Sequence, residues 1–200
     1  MIKAVAFDLD GTITRPFLNF ARIRLEIGVP MGRDSLLDKI AAMPAPERER
    51  ASAILARYEE DAAKNAELND GVIELMSYVS SRGLKSAVVT RNSEKSTQFV
   101  LDKLGLEFDR VITRDSGLPI KPDPAVLIAL AKEWGILTRE VLMVGDFRYD
   151  VDCGRAAGSP TCLVTNGRGA GNDCGADYEA KSPVEVIAVL RKLHETRDNC

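Results

Sequence analysis

A five-residue run, Asp8-Leu9-Asp10-Gly11-Thr12, constrains this chain more than any other stretch. It follows directly on an apolar strand pattern, Ile2 to Phe7. Two carboxylates two residues apart share one face of an extended chain. They stand where a buried strand ends and a glycine admits a sharp turn. Like charges held that close repel each other and need compensation. A divalent cation and a reacting phosphoryl group are the usual reason to build such a site.

Size and charge remove other classes of function. Two hundred residues suit one sizeable domain, or one domain with a small insert. The net charge of −3, with Lys and Arg scattered, argues against a nucleic-acid partner. No apolar run approaches the roughly 18 to 20 residues of a membrane span. The apolar N-terminal stretch is too short for a signal peptide and runs straight into the acidic motif. A cytoplasmic monomer or homodimer, with no membrane partner, is the expectation. Cys153, Cys162, Cys174 and Cys200 form no Cys-x-x-Cys pair and read as free thiols in a reducing compartment. The single histidine, His194, falls in a charged C-terminal helix and reads as solvated, which leaves no Ser-His-Asp triad.

Strand and helix patterns alternate over most of the chain. After Ile2–Phe7, short apolar strands are expected at Ser86–Thr90, Arg110–Thr113, Val141–Val144 and Thr161–Val164. Continuous apolar runs of this length fit a parallel sheet covered on both faces. Helices are expected at Asp70–Arg82, at Ser93–Leu104 and from an Asp123-Pro124 cap through Trp134. Ser182-Pro183-Val184-Glu185 reads as a capping box for the last helix. The tail beyond Asp173, with Asn199-Cys200 at its end, is expected to fray. The whole reads as a doubly wound α/β domain.

One segment interrupts the alternation. Between Thr12 and Asp70 no strand pattern stands out, and Arg15–Gly28, Asp34–Met43 and Glu47–Leu68 read as helices. Ile54, Leu55, Tyr58 and Ala62 mark an apolar stripe on the longest. A connection this long needs structure of its own. Residues 15–69 are therefore expected to form a small all-helical insert, with 1–14 and 70–200 as the core. Nine basic and nine acidic residues between Arg15 and Glu67 make the insert neutral. Arg15, Arg22, Arg24 and Arg33 could reach a substrate anion, although a surface salt bridge is the plainer reading of each.

Three further signals fall at or beyond expected strand ends: Thr90-Arg91-Asn92, Lys121 ahead of Pro122, and Gly145-Asp146 through Asp150. Ligands of open α/β sheets bind at the carboxyl ends of the strands. These motifs, in order with Asp8-Leu9-Asp10-Gly11-Thr12, resemble the haloacid dehalogenase superfamily of phosphohydrolases, and more narrowly its phosphoglycolate phosphatase-like members. The resemblance covers nearly the whole chain. It implies a Rossmannoid core with a small helical cap inserted after the first strand, and Mg²⁺ as cofactor.

The resemblance also implies roles. Asp8 would be the nucleophile, forming an aspartyl-phosphate, and Asp10 the general acid and base. Thr90 would bind a phosphoryl oxygen, and Lys121 would neutralise Asp8 and the phosphoryl group. Asp146 would hold Mg²⁺ with Asp8 and the backbone carbonyl of Asp10. Asp150 would orient Lys121 or a metal-bound water, or cap the following helix, or both. Gly11 and Thr12 would shape the turn, and Gly145 leads into Asp146. Arg91, Asn92 and Arg148 stand next to motif residues and could equally contact substrate or serve structure.

A charge count agrees. A phosphomonoester brings about two negative charges, Asp8, Asp10, Asp146 and Asp150 add more, and Lys121 returns one positive charge. Mg²⁺ prefers such an oxygen-rich setting. Near Mg²⁺ and Lys121, Asp8 is expected to stay ionised while Asp10 holds a proton.

The leading expectation is a Mg²⁺-dependent phosphatase of a small phosphorylated metabolite. Phosphoglycolate, a sugar phosphate and a nucleotide all remain open. The cap would close by hinges near Thr12–Arg15 and Leu68–Gly71. A phosphomutase of the same family, a true dehalogenase, or a non-catalytic binding protein retaining the fold are the alternatives.

Overall fold

The computed structural model describes residues 1–32, 34–168 and 174–195. Ala4–Phe7 (β1) is followed by Phe20–Ile27 (α1), Leu36–Ala41 (α2) and Ala45–Lys64 (α3). Val72–Ser81 (α4), Lys85–Val89 (β2), Glu94–Leu104 (α5), Arg110–Ile112 (β3), Ala125–Glu133 (α6) and Val141–Gly145 (β4) come next. Arg148–Ala157 (α7), Thr161–Val164 (β5), Tyr178–Ala180 (β6) and Val186–Glu195 (α8) complete the described chain. Short 3₁₀ turns at Thr138–Glu140 and Pro183–Glu185 precede β4 and α8.

The six strands form one sheet in the order β3-β2-β1-β4-β5-β6, and each neighbouring pair is parallel. The chain moves outward from β1 through β2 to β3, then crosses to β4 on the other side of β1. The order therefore reverses between β1 and β4, which opens a crevice beyond their carboxyl ends.

Both faces of the sheet are covered, as the apolar runs require. Ala4, Ala6, Ala87, Val89, Val141 and Met143 pack with Val126, Leu127 and Leu130 of α6 and Cys153 of α7. The alternating residues Val5, Phe7, Val88, Leu142 and Val144 are buried as well. Each fully buried aliphatic side chain contributes about 1.5–3 kcal/mol by removal from water.

Local rules account for most element ends. Ser93 caps α5 by accepting from Ser96 N, and α5 stops at the left-handed Gly105. Three expectations differ in detail. Ser182 makes no side-chain cap bond, because Pro183–Glu185 winds as a 3₁₀ turn and Glu185 Oε2 accepts from Lys181 N instead. Pro124 rather than Asp123 holds the cap position of α6, although Asp123 Oδ1 accepts from Ala125 N (2.8 Å). His194 is not fully solvated: its Nε2 is buried without a hydrogen-bond partner, and desolvation lowers its pKa.

The sixth strand, β6, was not expected. It holds only three residues and is anchored from outside, where Asp177 Oδ2 accepts from Thr161 N and Oγ1 (both 2.8 Å). Within residues 174–195 the segment beyond Asp173 forms β6 and α8. Asn199 and Cys200, like Arg33, lie outside the described residues. The three cysteines that are described are free, and burial pushes the Cys153 and Cys162 thiols up to about 12.

The chain divides into two compact units, Met1–Pro16 with Glu67–Cys200, and Phe17–Ala66. The second is all-helical among its described residues. Its core is Ile23, Leu36, Ile40, Ala51 and Leu55, with Tyr58 packed against them. Pro16 and the residues after it delay α1, which starts only after Asn19 caps it by accepting from Arg22 N. Arg24 is neither a surface pair nor open to substrate. It is buried and donates to the carbonyls of Pro30 and Asp34. Arg15 does pair at the surface, with Asp70 (2.8 Å). Among the described residues no helix is long and apolar enough to cross a membrane.

Candidate functional site

The motif residues gather at the carboxyl ends of β1, β2 and β4. Asp8 follows β1, and its N–H donates to Val144 O (2.8 Å), which ties it to β4. Thr90 follows β2, Asp146 follows β4, and Lys121 lies in the segment before α6. Asp8, Asp146 and Asp150 each direct a carboxylate oxygen to within 4.8 Å of the others. The Asp10 carboxylate is not part of this cluster; its Oδ2 accepts from Asn92 Nδ2 (2.5 Å).

Lys121 is the centre of the charge arrangement. Its side chain is 2% exposed, and Nζ donates to Asp8 Oδ1 and Asp150 Oδ1, each at 2.6 Å. Burial works against the ammonium, but Asp150 and Asp8 outweigh it and raise the pKa above its ordinary value. Asp150 Oδ2 accepts from Phe147 N (3.1 Å), so this residue, at the third position of α7, both caps the helix and holds the lysine. A buried ion triplet of this kind stands only when its members satisfy one another.

Two glycines are required by close approach. Gly11 has φ +85°, and a Cβ there would lie 2.3 Å from Asp146 Oδ2. A Cβ on Gly145 would lie 2.1 Å from Asp150 Cγ. The backbone must therefore be bare at both points for Asp146 and Asp150 to take their places. The turn itself is backbone-made: Ile13 N and Thr14 N both donate to Leu9 O (2.9 Å), and Gly11 N donates to Thr14 O (2.9 Å). Thr12 contributes its N–H to this turn, while its buried Oγ1 has no partner. The expected turn-fixing role of Thr12 thus rests on the backbone, since its hydroxyl reaches no acceptor.

The residues after β2 divide their tasks. Thr90 is buried, and its Oγ1 accepts from Asn92 N (3.2 Å). The Arg91 guanidinium donates to Lys121 O (2.8 Å) and lies 4.3 Å over the Tyr149 ring. It braces the segment that carries Lys121. Arg148 pairs with Asp152 along α7, at 3.4 Å.

Three residues outside the strand-end motifs also reach this end of the sheet. Arg168 Nη2 donates to Asp146 Oδ2 (2.6 Å). Asn166 and Asn69 place side-chain amides on the carbonyls of the first-motif loop. Each is a polar residue in a loop; Asn166-Gly167 carries a turn signal, but no local pattern marks any of the three as a site residue. The nearest signal was position, just beyond a strand or just before a helix.

The donor set fits a divalent cation. Among the described residues Asp8 Oδ2 and Asp146 Oδ1 accept no hydrogen bond. Burial, with Asp150 and Asp146, pushes Asp8 well above its ordinary carboxyl value although Lys121 pulls it down. Burial and Asp150 likewise push Asp146 up to about 6 against the pull of Arg168. Lys121 alone therefore does not balance the cluster. Two carboxylate oxygens that accept no hydrogen bond among the described residues, in an excess of negative charge, suit a hard cation with oxygen ligands.

The sequence matches the haloacid dehalogenase-like hydrolase family over residues 33–164. It is 30% identical to a haloacid dehalogenase-like hydrolase domain-containing protein of Arabidopsis thaliana, over 98% of this chain and 84% of that one. It is 31% identical to N-acetylmuramic acid 6-phosphate phosphatase of Pseudomonas putida, over 94% of this chain and 96% of that one. With phosphoglycolate phosphatase 1 of Pseudomonas aeruginosa the identity is 29%, over 96% and 78%. The crystal structure of a hydrolase from Pseudomonas syringae, 22% identical, shares the fold with a TM-score of 0.80, covering 96% of this chain and 99% of that one. The parallel sheet, the strand-end motifs and these matches agree: this chain belongs to the haloacid dehalogenase-like hydrolase family.

Proposed function

We propose that this protein is a Mg²⁺-dependent phosphatase of a small phosphomonoester, acting through an aspartyl-phosphate on Asp8. The observation that carries the reading is the buried Lys121 ammonium held between Asp8 and Asp150, beside Asp146, at the sheet's topological switch. Relatives named as phosphatases of N-acetylmuramic acid 6-phosphate and phosphoglycolate support it.

The residues divide the reaction as follows. An oxygen of the Asp8 carboxylate attacks phosphorus, and the bond from phosphorus to the ester oxygen breaks. Asp10 gives its proton to the departing alcohol oxygen. Water then attacks the same phosphorus, Asp10 takes its proton, and the Asp8–phosphorus bond breaks to release phosphate. Lys121 offsets charge on Asp8 and on the phosphoryl oxygens, and the Thr90 hydroxyl donates to one of those oxygens. Asn92 orients Asp10 through the Oδ2 contact. Asp8 and Asp146, with the Asp10 carbonyl, would hold Mg²⁺, which when bound neutralises phosphoryl charge. By resemblance to the family, the helical unit Phe17–Ala66 would serve as its cap and select for small substrates.

Phosphate release from a panel of phosphoglycolate, sugar phosphates and nucleoside monophosphates, with Mg²⁺ and with chelator, tests this. Mg²⁺-dependent release from one class of compound supports it. Release that chelator leaves intact, or none from any compound by folded protein with metal, counts against it.

A further inference from the structure

Behind the first-motif loop, two asparagine side chains meet. Asn69 Nδ2 points at Gly11 O (3.3 Å), Thr12 O (3.2 Å) and Asn166 Oδ1 (2.8 Å). Asn166 Nδ2 donates to Gly11 O at 2.6 Å. Asn69 Oδ1 accepts from Asp70 N (3.0 Å). Carbonyls on one side and an N–H on the other leave a single consistent orientation for each amide. Asn69 is buried, and its own backbone N–H donates to Ile13 O (2.9 Å).

We infer that Asn69 and Asn166 are positioning residues, a pair of amides that grips the Gly11 and Thr12 carbonyls and holds the Asp8–Asp10 loop in register with Asp146. The inference rests on the phosphatase reading of that site. Its force comes from Asn166. Among the described residues this is the only non-glycine with positive φ, at 52°. Glycine and asparagine both take that backbone readily, and Asn166-Gly167 (φ 52° and 72°) is a turn pair, so what sets the asparagine apart is its side chain. What the side chain does is donate to Gly11 O. The loop has little freedom to drift, because Asp146 Oδ2 fills the place of a Gly11 Cβ. A shift of Gly11 is thus at once a shift against Asp146, one of the two carboxylates that would share the cation. Neither asparagine belongs to a motif, and the two come from distant parts of the chain, one before α4 and one after β5.

The decisive variant is Asn166→Gly, which keeps the backbone and removes the amide. A turn-forming role predicts unchanged behaviour. The positioning role predicts a protein that still melts cooperatively, at most a few degrees below wild type, since two hydrogen bonds of the amide are lost. It also predicts faster hydrogen exchange at Gly11, Ile13 and Thr14 N–H, and Mn²⁺ bound about tenfold more weakly by electron paramagnetic resonance. On whichever substrate the panel reveals, kcat falls about tenfold while KM stays within about twofold, the scale of lost outer-shell support. Asn69→Ala should reproduce the pattern, and the double variant should lose little more than either single one, since the amides act as a unit. If wild type turns over nothing, the phosphatase reading fails while exchange and Mn²⁺ affinity still decide this one. Exchange, Mn²⁺ affinity and kcat all unchanged in a folded Asn166→Gly protein would overturn it.

Discussion

Arg168 Nη2 and Asp146 Oδ2 lie 2.6 Å apart beyond the carboxyl ends of β4 and β5. The arginine, 44% exposed, neutralises a carboxylate that burial would otherwise protonate more readily. It also places a positive charge where a divalent cation would bind. Removing it therefore has two expected effects. Arg168→Gln should cost the metal-free protein no more than about 1 kcal/mol, as for a solvent-accessible pair. The same change should tighten Mg²⁺ binding severalfold. Thermal melts with and without Mg²⁺ measure both; weaker Mg²⁺ binding would mean that Arg168 supports Asp146 as a ligand.

Lys121 is expected to be the most costly single truncation. Lys121→Met leaves Asp8 and Asp150 buried without their counter-charge. Removing one partner of a buried pair costs about 3–5 kcal/mol. Adding Asp150→Asn should restore part of that loss, because one uncompensated charge goes with it. Urea unfolding of the single and double variants tests the coupling. Simple additivity would mean that the triplet does not act as a unit.

Metal binding should be linked to pH with a defined sign. Burial and the Asp150 charge push Asp146 up to about 6 from its ordinary 3.8. Between those values the folded chain keeps a proton that the unfolded chain has lost. The contribution of this group to metal-free stability therefore falls as pH rises through that window. A cation needs the carboxylate, so binding near pH 5.5 should release on the order of one proton, shared by the coupled cluster. Calorimetry in buffers of different ionisation enthalpy counts it. No proton release at pH 5.5 would remove the carboxylate cluster from the metal site.

Arg91 should behave as a brace rather than a substrate contact. It donates to Lys121 O and lies over Tyr149. Arg91→Met is expected to lower stability by about 1–3 kcal/mol, from a charged hydrogen bond and a cation–π contact. It should change KM by less than about twofold. A large rise in KM with unchanged stability would return Arg91 to the substrate.

Much of this could be read from the sequence, for reasons visible in particular residues. Apolar runs such as Ala4–Phe7 and Val141–Gly145 are buried on both sides, so pattern and environment coincide. The strand-end motifs are short and local, and they arrive together once the sheet order is known. β6 escaped because Tyr178–Ala180 holds three residues and owes its place to Asp177 and β5. The capping-box pattern at Ser182 misled because a local rule cannot tell that Glu185 will choose Lys181 N. Arg24 read as a surface group because its acceptors are main-chain carbonyls of Pro30 and Asp34, which carry no side-chain signature. Asn69, Asn166 and Arg168 were silent for a related reason. Their partners lie 58, 155 and 22 residues away, and only the folded sheet brings them together.

The central claim is that Asp8 carries the phosphoryl group during turnover. Acid quenching of the Mg²⁺-activated enzyme during turnover, followed by mass mapping of its peptides, tests this most directly. One phosphoryl group is expected on Asp8, absent with chelator and absent in Asp8→Asn, which should also be inactive. Sustained turnover with no phosphoryl group on Asp8, or full activity in Asp8→Asn, would contradict it.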